Sequence, residues 1–161
     1  MTWKAREYGQ SSRFIELSGE VNAAMSEHVI NRVASALNSH GKPVKCSRVL
    51  LLGLAYKANV DDDRESPSYI LMDKLKERGA DVSYYDPHVP EIGLTREHPH
   101  WAGTRSVEWT METIVSFDAA LISTAHDEMN CRELGEWASL IIDTRNAMLG
   151  INTKSGQVWK A

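Results

Sequence analysis

Apolar residues recur every three to four positions through the N-terminal part of the chain. Those at positions 21, 25, 29, 33 and 37 fall on one face of an α-helix at this spacing. The pattern predicts a long helix over about residues 16–40. Gly41 is predicted to cap this helix, because glycine accepts the left-handed backbone of a helix end, and Pro43 cannot continue it.

From residue 48 onward, short apolar runs alternate with amphipathic stretches. The runs predict strands at residues 49–52, 82–85, 104–107, 119–123 and 140–143. Ser66 and Pro67 indicate the start of one helix, and two more helices are predicted at residues 108–115 and 132–139. The predicted fold class is therefore α/β: a Rossmann-like three-layer domain with a mainly parallel sheet, preceded by the long N-terminal helix.

Composition and charge exclude several classes of protein. The 161 residues are 42% hydrophobic and 25% charged, as is usual for a globular domain. Lys and Arg total 18 against 22 Asp and Glu, and a net charge of -4 disfavours a nucleic-acid partner. No apolar run is long enough to cross a bilayer, and the first twenty residues lack a signal-peptide core. The sequence therefore predicts a cytoplasmic protein without a membrane partner.

Cys46 and Cys131 are the two cysteines, and they do not form a C-x-x-C pair. Zinc binding or redox chemistry is therefore weakly indicated. Because free cysteine is commonly buried as a small hydrophobic residue, both thiols are expected to be buried.

Ligands of parallel α/β sheets bind beyond the carboxyl ends of the strands. This rule directs attention to residues 53–67, 86–89, 124–127 and 143–146. The first of these segments contains one glycine, so it is neither G-x-G-x-x-G nor a P-loop. Its Lys57 and Arg64 precede a helix start, an arrangement that attracts phosphate. An equally weighted alternative is a solvated loop in which Arg64 pairs with the aspartates at 61–63.

The other polar residues at this edge are weaker candidates, with one exception. Asp86 stands where dinucleotide-binding folds place a ribose-binding acid, but an Asp before Pro is more often a turn former. A single histidine in a loop, such as His126 beside Asp127, is more often solvated than functional. Arg145 is the stronger candidate, because its charge must find a partner at a central strand end. His98 and His100 have no third ligand at a suitable spacing, so no metal site is predicted.

Four motifs carry a family resemblance. GLAYKANVDDDRESPS (residues 53–68) closely resembles the signature loop of the C-terminal, UDP-binding domain of the UDP-glucose/GDP-mannose dehydrogenase family. YYDPHVPE, STAHDE and IIDTR match that domain in order and spacing. Upstream, TWKAREYG and RFIELSGEVNAAM resemble the end of the family's central domain and its long helix. The combination is most similar to the branch that oxidises UDP-N-acetylhexosamines, UDP-N-acetylglucosamine 6-dehydrogenase in particular.

The resemblance implies both an activity and the roles of three residues. Family enzymes oxidise C6 of a nucleotide sugar to a carboxylate in two NAD-dependent steps, for example toward surface polysaccharide precursors. By the resemblance, Lys57 and Arg145 contact the UDP-sugar substrate, and Arg64 reaches the NAD cofactor. The catalytic cysteine and the N-terminal NAD-binding domain have no counterpart in this chain, so no catalytic residue is assigned here and the chain alone is expected to be inactive.

The resemblance also implies a domain division and partners. Residues 1–15 are expected to be a remnant of the central dimerisation domain, 16–42 the connecting helix, and 43–161 the UDP-binding domain. The expected partners are UDP or a UDP-N-acetylhexosamine, the missing domains, and a second subunit in a full-length homodimer. The alternatives are a stand-alone Rossmann-like nucleotide-binding or regulatory module without catalysis, and a structural interaction domain. Apolar residues near the start favour the fragment; they are Trp3, Tyr8, Phe14 and Ile15.

Overall fold

The computed structural model describes residues 13–161, which form a five-stranded, all-parallel sheet with helices on both faces. The strands are β1 (Arg48–Leu52), β2 (Asp81–Tyr85), β3 (Ala119–Ile122), β4 (Ile141–Asp143) and β5 (Val158–Lys160), in the order β2-β1-β3-β4-β5. The helices are α1 (Arg13–Ser39), α2 (Pro67–Glu77), α3 (Met111–Val115) and α4 (Cys131–Trp137). A 3-10 turn covers Pro99–Trp101. The predicted fold class is confirmed.

The central strands are buried on both faces, and their side chains alternate between two cores. Val49 and Leu51 of β1 belong to one core, which α1 and α2 cover. Leu50 and Leu52 belong to the other, which contains Ile114 of α3 and residues of α4. Because successive side chains of a strand point to opposite faces, an unbroken run of aliphatic residues is what a strand between two helical layers requires.

Helix α1 has two halves that differ in exposure. Its C-terminal half is packed against the sheet, with Ile30, Val33 and Leu37 fully buried. On the N-terminal half, Val21 and Met25 are about half exposed although they continue the same stripe. Near the end of the helix, Gly41 has a φ of 70° and its N–H donates to the Asn38 carbonyl. This confirms the predicted glycine cap.

Helix α2 starts where the sequence predicts. Ser66 is its N-cap, with its hydroxyl accepting from the Ser68 N–H at 3.2 Å, and Pro67 is the first helical residue. This cap satisfies a backbone donor at the helix start within the chain itself, which leaves less of that helix end for a phosphate than the sequence suggested.

One predicted strand is wrong, and one strand of the sheet was not predicted. Residues 104–107 are not a strand of the sheet; they run beside residues 90–92, with one isolated bridge between Glu91 and Arg105. The Ser106 N–H donates to the Pro90 carbonyl, within its own loop, and the Val107 N–H donates to the Tyr84 carbonyl of β2. One backbone bond to β2 does not make the regular pairing of a sheet strand. Conversely, β5 was not predicted, because Val158 and Trp159 are only partly buried, Lys160 is exposed, and two apolar residues are too short a run to indicate a strand.

The cysteine prediction is also corrected. Cys46 is exposed, in a turn where its φ is 68°, and Cys131 is partly buried at the start of α4. The turn before β1 leaves the Cys46 side chain outside both cores, so the expectation of two buried thiols does not hold.

Some of the sequence observations lie outside the described residues. These are the apolar residues Trp3 and Tyr8 and the side chains of Phe14 and Ile15. Across residues 13–161, none of the helices combines the length and the apolar character that crossing a membrane demands. The proposed division at residues 15 and 42 stays a prediction.

Candidate functional site

The carboxyl ends of β1 and β3 define the position of the site. These strands are neighbours, but the chain leaves β1 toward β2 on one side and reaches β3 from the other. At such a switch point the connecting loops separate and leave a crevice. Two cavities lie here, of about 340 Å³ and about 800 Å³, and Tyr56 and Arg145 line both.

The buried carboxylate of Asp86, directly after β2, anchors the start of the loop that follows β1. Its Oδ2 accepts from the Leu54 N–H at 2.7 Å and from the Ala55 N–H at 2.9 Å. Its Oδ1 accepts from the His88 and Val89 N–H groups, at 2.8 Å and 3.1 Å. Asp86 therefore forms a turn with the residues that follow it, as the sequence predicts for an Asp before Pro. It also connects this turn to the loop after β1.

Gly53 and Thr124 bring the two loops into contact. Gly53 has a φ of 81°, and a Cβ at this position would lie 2.0 Å from the Thr124 carbonyl oxygen. The Thr124 hydroxyl donates to the Ala55 carbonyl at 2.8 Å. Only glycine permits this approach, since the backbone conformation and the space both exclude a side chain.

The tip of the β1 loop is held at Asn59. Its side chain donates to Asp127 at 2.8 Å, and the Asp127 N–H donates back at 2.9 Å. The Asn59 N–H itself meets Nδ1 of His126 at 3.0 Å. His126 is 4% exposed, so the expectation of a solvated histidine is wrong. The β1 loop packs over this ring and excludes water from it.

Lys57 and Arg145 line the smaller cavity together with Tyr56, Thr124 and Ala125. Lys57 lies over the Tyr56 ring, with Nζ 5.7 Å from the ring centroid. Arg145 donates from Nε to the Ser123 carbonyl at 2.5 Å. Its backbone is fixed by Asp143, whose Oδ1 accepts from the Arg145 N–H at 2.9 Å. The fold thus gathers at one cavity two cations that are 88 positions apart.

Arg64 is placed differently from these two cations. It forms a two-point contact with Asp62, from Nε at 2.8 Å and from a terminal nitrogen at 3.0 Å, and it lines neither cavity. The hydrogen bond from Arg64 lowers the pKa of Asp62. The structure therefore shows the aspartate pairing that the sequence left open as an alternative. Among residues 13–161, the loop after β1 has one glycine and no dinucleotide cradle is formed, so these residues do not by themselves fit NAD.

The two histidines of the 90–103 loop bind Asp73 of α2. His98 Nδ1 and His100 Nε2 lie 2.7 Å and 2.6 Å from its two oxygens, and Trp101 Nε1 donates to it at 2.7 Å. His98 also stacks on Tyr69, with 5.0 Å between ring centroids. Within residues 13–161 no group of three or more ligating side chains is arranged to hold a metal ion. The cluster instead fastens the loop to α2.

Replacing Asp73 by asparagine is expected to lower the free energy of unfolding by about 2 kcal/mol at pH 7, because hydrogen bonds to a charged group are lost. Burial raises the pKa of Asp73, but the hydrogen bonds from Trp101, His100 and His98 outweigh it, and the net pKa is lowered. The stabilisation is therefore complete above the unfolded pKa of about 3.9 and is lost as the pH falls through the lower folded value.

Urea unfolding of the wild type and Asp73→Asn between pH 7 and pH 2 measures this effect. The difference between the two proteins should shrink below about pH 4. Asp81→Asn is the control, since Asp81 is exposed and its nearest cation, Arg48, is 3.8 Å away. A difference that stays constant down to pH 2 would contradict the assignment of the stabilisation to the ionised carboxylate.

Comparison with known proteins bears on this site. The model of the UDP-glucose/GDP-mannose dehydrogenase family, UDP binding domain, matches residues 50–149. The chain belongs to this family. The match begins within β1 and ends after β4, so it contains the β1 loop, the turn at Asp86 and Arg145.

Curated relatives agree with this membership. A UDP-N-acetyl-D-mannosamine dehydrogenase of Methanococcus vannielii is 31% identical over 154 residues, covering 91% of this chain and 33% of the relative. A UDP-glucose 6-dehydrogenase of Haloferax volcanii is 30% identical over 124 residues, covering 77% and 27%. The chain therefore spans about a quarter to a third of the length of these curated relatives.

Solved structures of the family share the fold. The UDP-D-ManNAc dehydrogenase of Pyrococcus horikoshii has a TM-score of 0.71 at 22% identity, covering 91% of this chain and 32% of that one. The GDP-mannose dehydrogenase of Pseudomonas aeruginosa also has a TM-score of 0.71 at 22% identity, covering 99% and 36%. At this identity the likeness establishes the fold.

Sequence reasoning missed the connections among the family's motifs. DPHV and AHD were recognised as letters of the family pattern, but the structure shows that Asp86 and His126 bond to each other and to the GLAYKAN loop. The signal available in the sequence was position: Asp86 directly follows β2, and His126 lies four residues after the end of β3, and both strands flank β1. Their burial depends on the loop that covers them, which periodicity does not reveal.

Proposed function

We propose that this chain is the UDP-binding part of an NAD-dependent UDP-sugar 6-dehydrogenase that oxidises the C6 hydroxyl of a UDP-N-acetylhexosamine to a carboxylate. The single observation that carries the proposal is the cavity at the sheet switch point, which both Lys57 and Arg145 line. Two cations at one cavity suit a diphosphate, whose charge would otherwise be costly to remove from water.

Lys57 and Arg145 would bind the diphosphate in different ways. The ammonium group of Lys57 is a point charge at the end of a flexible side chain, so it can adjust to the position of a phosphate oxygen. Arg145 is held at Nε by the Ser123 carbonyl, and within residues 13–161 its terminal nitrogens make no hydrogen bond. Those nitrogens can give the paired donation that a guanidinium offers to phosphate. Binding here holds the nucleotide end and so orients the distant sugar, a contribution to rate made through positioning.

The larger cavity supports a role for the helix in holding the rest of the ligand. It continues from Tyr56 and Arg145 along α1, where Met25, Ser26 and Val29 line it. Its volume of about 800 Å³ is within the range of sites for small organic ligands. We assign it to the remaining nucleotide-sugar groups.

NAD chemistry belongs to parts of the enzyme outside the described residues. NAD would accept a hydride in each oxidation step, and Arg64 is the residue of this chain proposed to reach it. Arg64 is exposed on the loop surface, and this exposure supports a contact with a neighbouring domain once Arg64 releases Asp62. Neither Cys46 nor Cys131 stands in the family's nucleophile motif, so the covalent steps are assigned elsewhere, and the chain alone is proposed to be inactive.

The names of several relatives support the proposed substrate class. Several of them are named UDP-N-acetyl-D-mannosamine dehydrogenases, and one NDP-N-acetyl-D-galactosaminuronic acid dehydrogenase of Ralstonia solanacearum is 35% identical over 89 residues. These names share an N-acetylated hexose on a nucleoside diphosphate. We extend that substrate class to this protein. We also propose that the full-length enzyme is a homodimer and is located in the cytoplasm.

Titration of UDP into ¹⁵N-labelled protein tests the proposed site. We expect a dissociation constant in the millimolar range, about -4 kcal/mol, with shifts at residues 53–64 and at Arg145. Lys57→Ala and Arg145→Ala should each weaken binding by about tenfold or more, since charge-assisted bonds contribute about 1.5–3 kcal/mol. Arg64→Ala is the matched control: it removes a cation from the same loop but not from the cavity, so UDP affinity should be nearly unchanged.

Two results would contradict the proposal. Shifts confined to the His98 and His100 loop would place the ligand elsewhere. Equal losses of affinity in Arg64→Ala and Lys57→Ala would show that the loop attracts UDP only through its net charge.

A further inference from the structure

His126 makes two hydrogen bonds in opposite directions from a buried ring. Nδ1 faces the Asn59 N–H at 3.0 Å, and Nε2 faces Asp86 Oδ2 at 3.0 Å. The side chain is 1% exposed, and that of Asp86 is fully buried. Water therefore has little access to either contact, and each ring nitrogen must match the partner that the fold gives it.

These partners specify one tautomer. A backbone N–H can only donate, so Nδ1 must carry a lone pair. Asp86 Oδ2 already accepts from two backbone N–H groups, so it acts as an acceptor and Nε2 must carry the hydrogen. The neutral Nε2–H form alone satisfies both contacts. The opposite tautomer would place two donors together at Asn59 and two acceptors at Asp86.

We propose that His126 is a positioning residue: as the Nε2–H tautomer held by Asp86, it fixes the Asn59 backbone and with it the loop that carries Lys57. Asn59 has a φ of 61°, an uncommon conformation that the surrounding contacts must maintain. Lys57 is two residues away along the chain. The importance of the loop for UDP rests on the proposed function, whereas the tautomer and the loop contact do not.

The proposal has a consequence for pH. A second proton on His126 would occupy Nδ1 and oppose the Asn59 N–H, so the loop contact is expected to break as the imidazole becomes charged. Asp86 faces Nε2 of the ring, and the ring of His88 lies 4.9 Å away between centroids. In the turn of His126 itself, Glu128 lies 3.3 Å from Nε2 of His88, and Asp127 accepts from the Asn59 side chain. Tyr85, at the end of β2, lies near Asp86 and Glu128. The β1 loop presents a backbone N–H to the ring.

The first test reads the tautomer directly. Two-bond ¹H–¹⁵N correlation of the wild-type imidazoles at pH 8 should show His126 with a protonated Nε2 and an unprotonated Nδ1. On lowering the pH, the Asn59 amide resonance should move with the same midpoint as the His126 ring. A protonated Nδ1 at pH 8, or an Asn59 amide that does not follow the ring, would overturn the proposal without any variant.

The second test separates the two contacts with a matched pair of variants. His126→Asn places an amide oxygen near Nδ1 and keeps an acceptor for Asn59, whereas His126→Gln places its amide nitrogen near Nε2 and keeps a donor for Asp86. Hydrogen exchange of the Asn59 amide should be about tenfold faster in His126→Gln than in His126→Asn. The Leu54 and Ala55 amides, which Asp86 holds, serve as the internal reference for general loosening. Equal Asn59 exchange in both variants, after this correction, would overturn the proposal.

Binding of UDP-N-acetylglucosamine connects the loop contact to the proposed function. Its affinity should fall by about fivefold in His126→Gln and recover in His126→Asn, as expected for one neutral hydrogen bond. If the wild type fails to bind this ligand, the proposed function fails, while the tautomer and exchange results still decide the positioning role. Binding that is equally weak in both variants would overturn that role.

Discussion

Replacing Gly53 by alanine is expected to lower the free energy of unfolding by about 3–5 kcal/mol, or to prevent folding. Two costs combine at this position. The φ of 81° is unfavourable for an L-residue, and the new Cβ would lie 2.0 Å from the Thr124 carbonyl oxygen. That oxygen belongs to the backbone two residues after the end of β3, so it cannot move aside without disturbing the end of this central strand. Urea unfolding followed by circular dichroism measures the loss.

Gly150→Ala is the matched control for the backbone term. Gly150 has a φ of 78°, close to that of Gly53, but nothing lies within 4 Å of its added Cβ. It should lose about 1–2 kcal/mol, from the left-handed conformation alone. The difference between the two variants isolates the contact between the β1 and β3 loops. Equal losses would show that this contact is not tight in solution.

The sequence was sufficient for the elements that local signals define. The aliphatic runs at β1 and β3, the Ser66–Pro67 helix start and the Gly41 cap all appear where they were predicted. These features depend on side-chain pattern and backbone preference within a few residues. Residues 104–107 were wrongly predicted as a strand and β5 was missed because long-range pairing, which local signals do not contain, decides which short segment joins the sheet.

The site divides in the same way. Lys57 and Arg145 could be assigned to one edge of the sheet from their positions after strands, and the structure brings them to one cavity. The roles of Asp86 and His126 could not be assigned from the sequence, because these roles depend on hydrogen bonds to residues 31–67 positions away along the chain. A loop histidine becomes buried only when another loop folds over it. Reasoning from neighbouring positions in the sequence therefore misses residues whose role is to connect two loops.

Replacing Asp86 by alanine is the other change expected to have a large effect, about 3–5 kcal/mol of unfolding free energy. The carboxylate is 2% exposed and accepts five hydrogen bonds. Its removal leaves buried donors without an acceptor, and each such group costs about 1–3 kcal/mol. The donors are the N–H groups of Leu54, Ala55, His88 and Val89 and Nε2 of His126.

Asp143→Ala separates the loss of a turn from the loss of a connection between loops. Asp143 is equally buried, but the three donors that it accepts from lie within its own turn, at Arg145, Ala147 and Met148. Asp86→Ala should therefore release amide protection in two separate segments, 54–55 and 88–89, whereas Asp143→Ala should release it only at 145–148. If Asp86→Ala left the Leu54 and Ala55 amides protected, the β1 loop would hold its shape without the carboxylate. The loop carrying Lys57 would then have to be stabilised by its contacts with Thr124 and Asp127 instead.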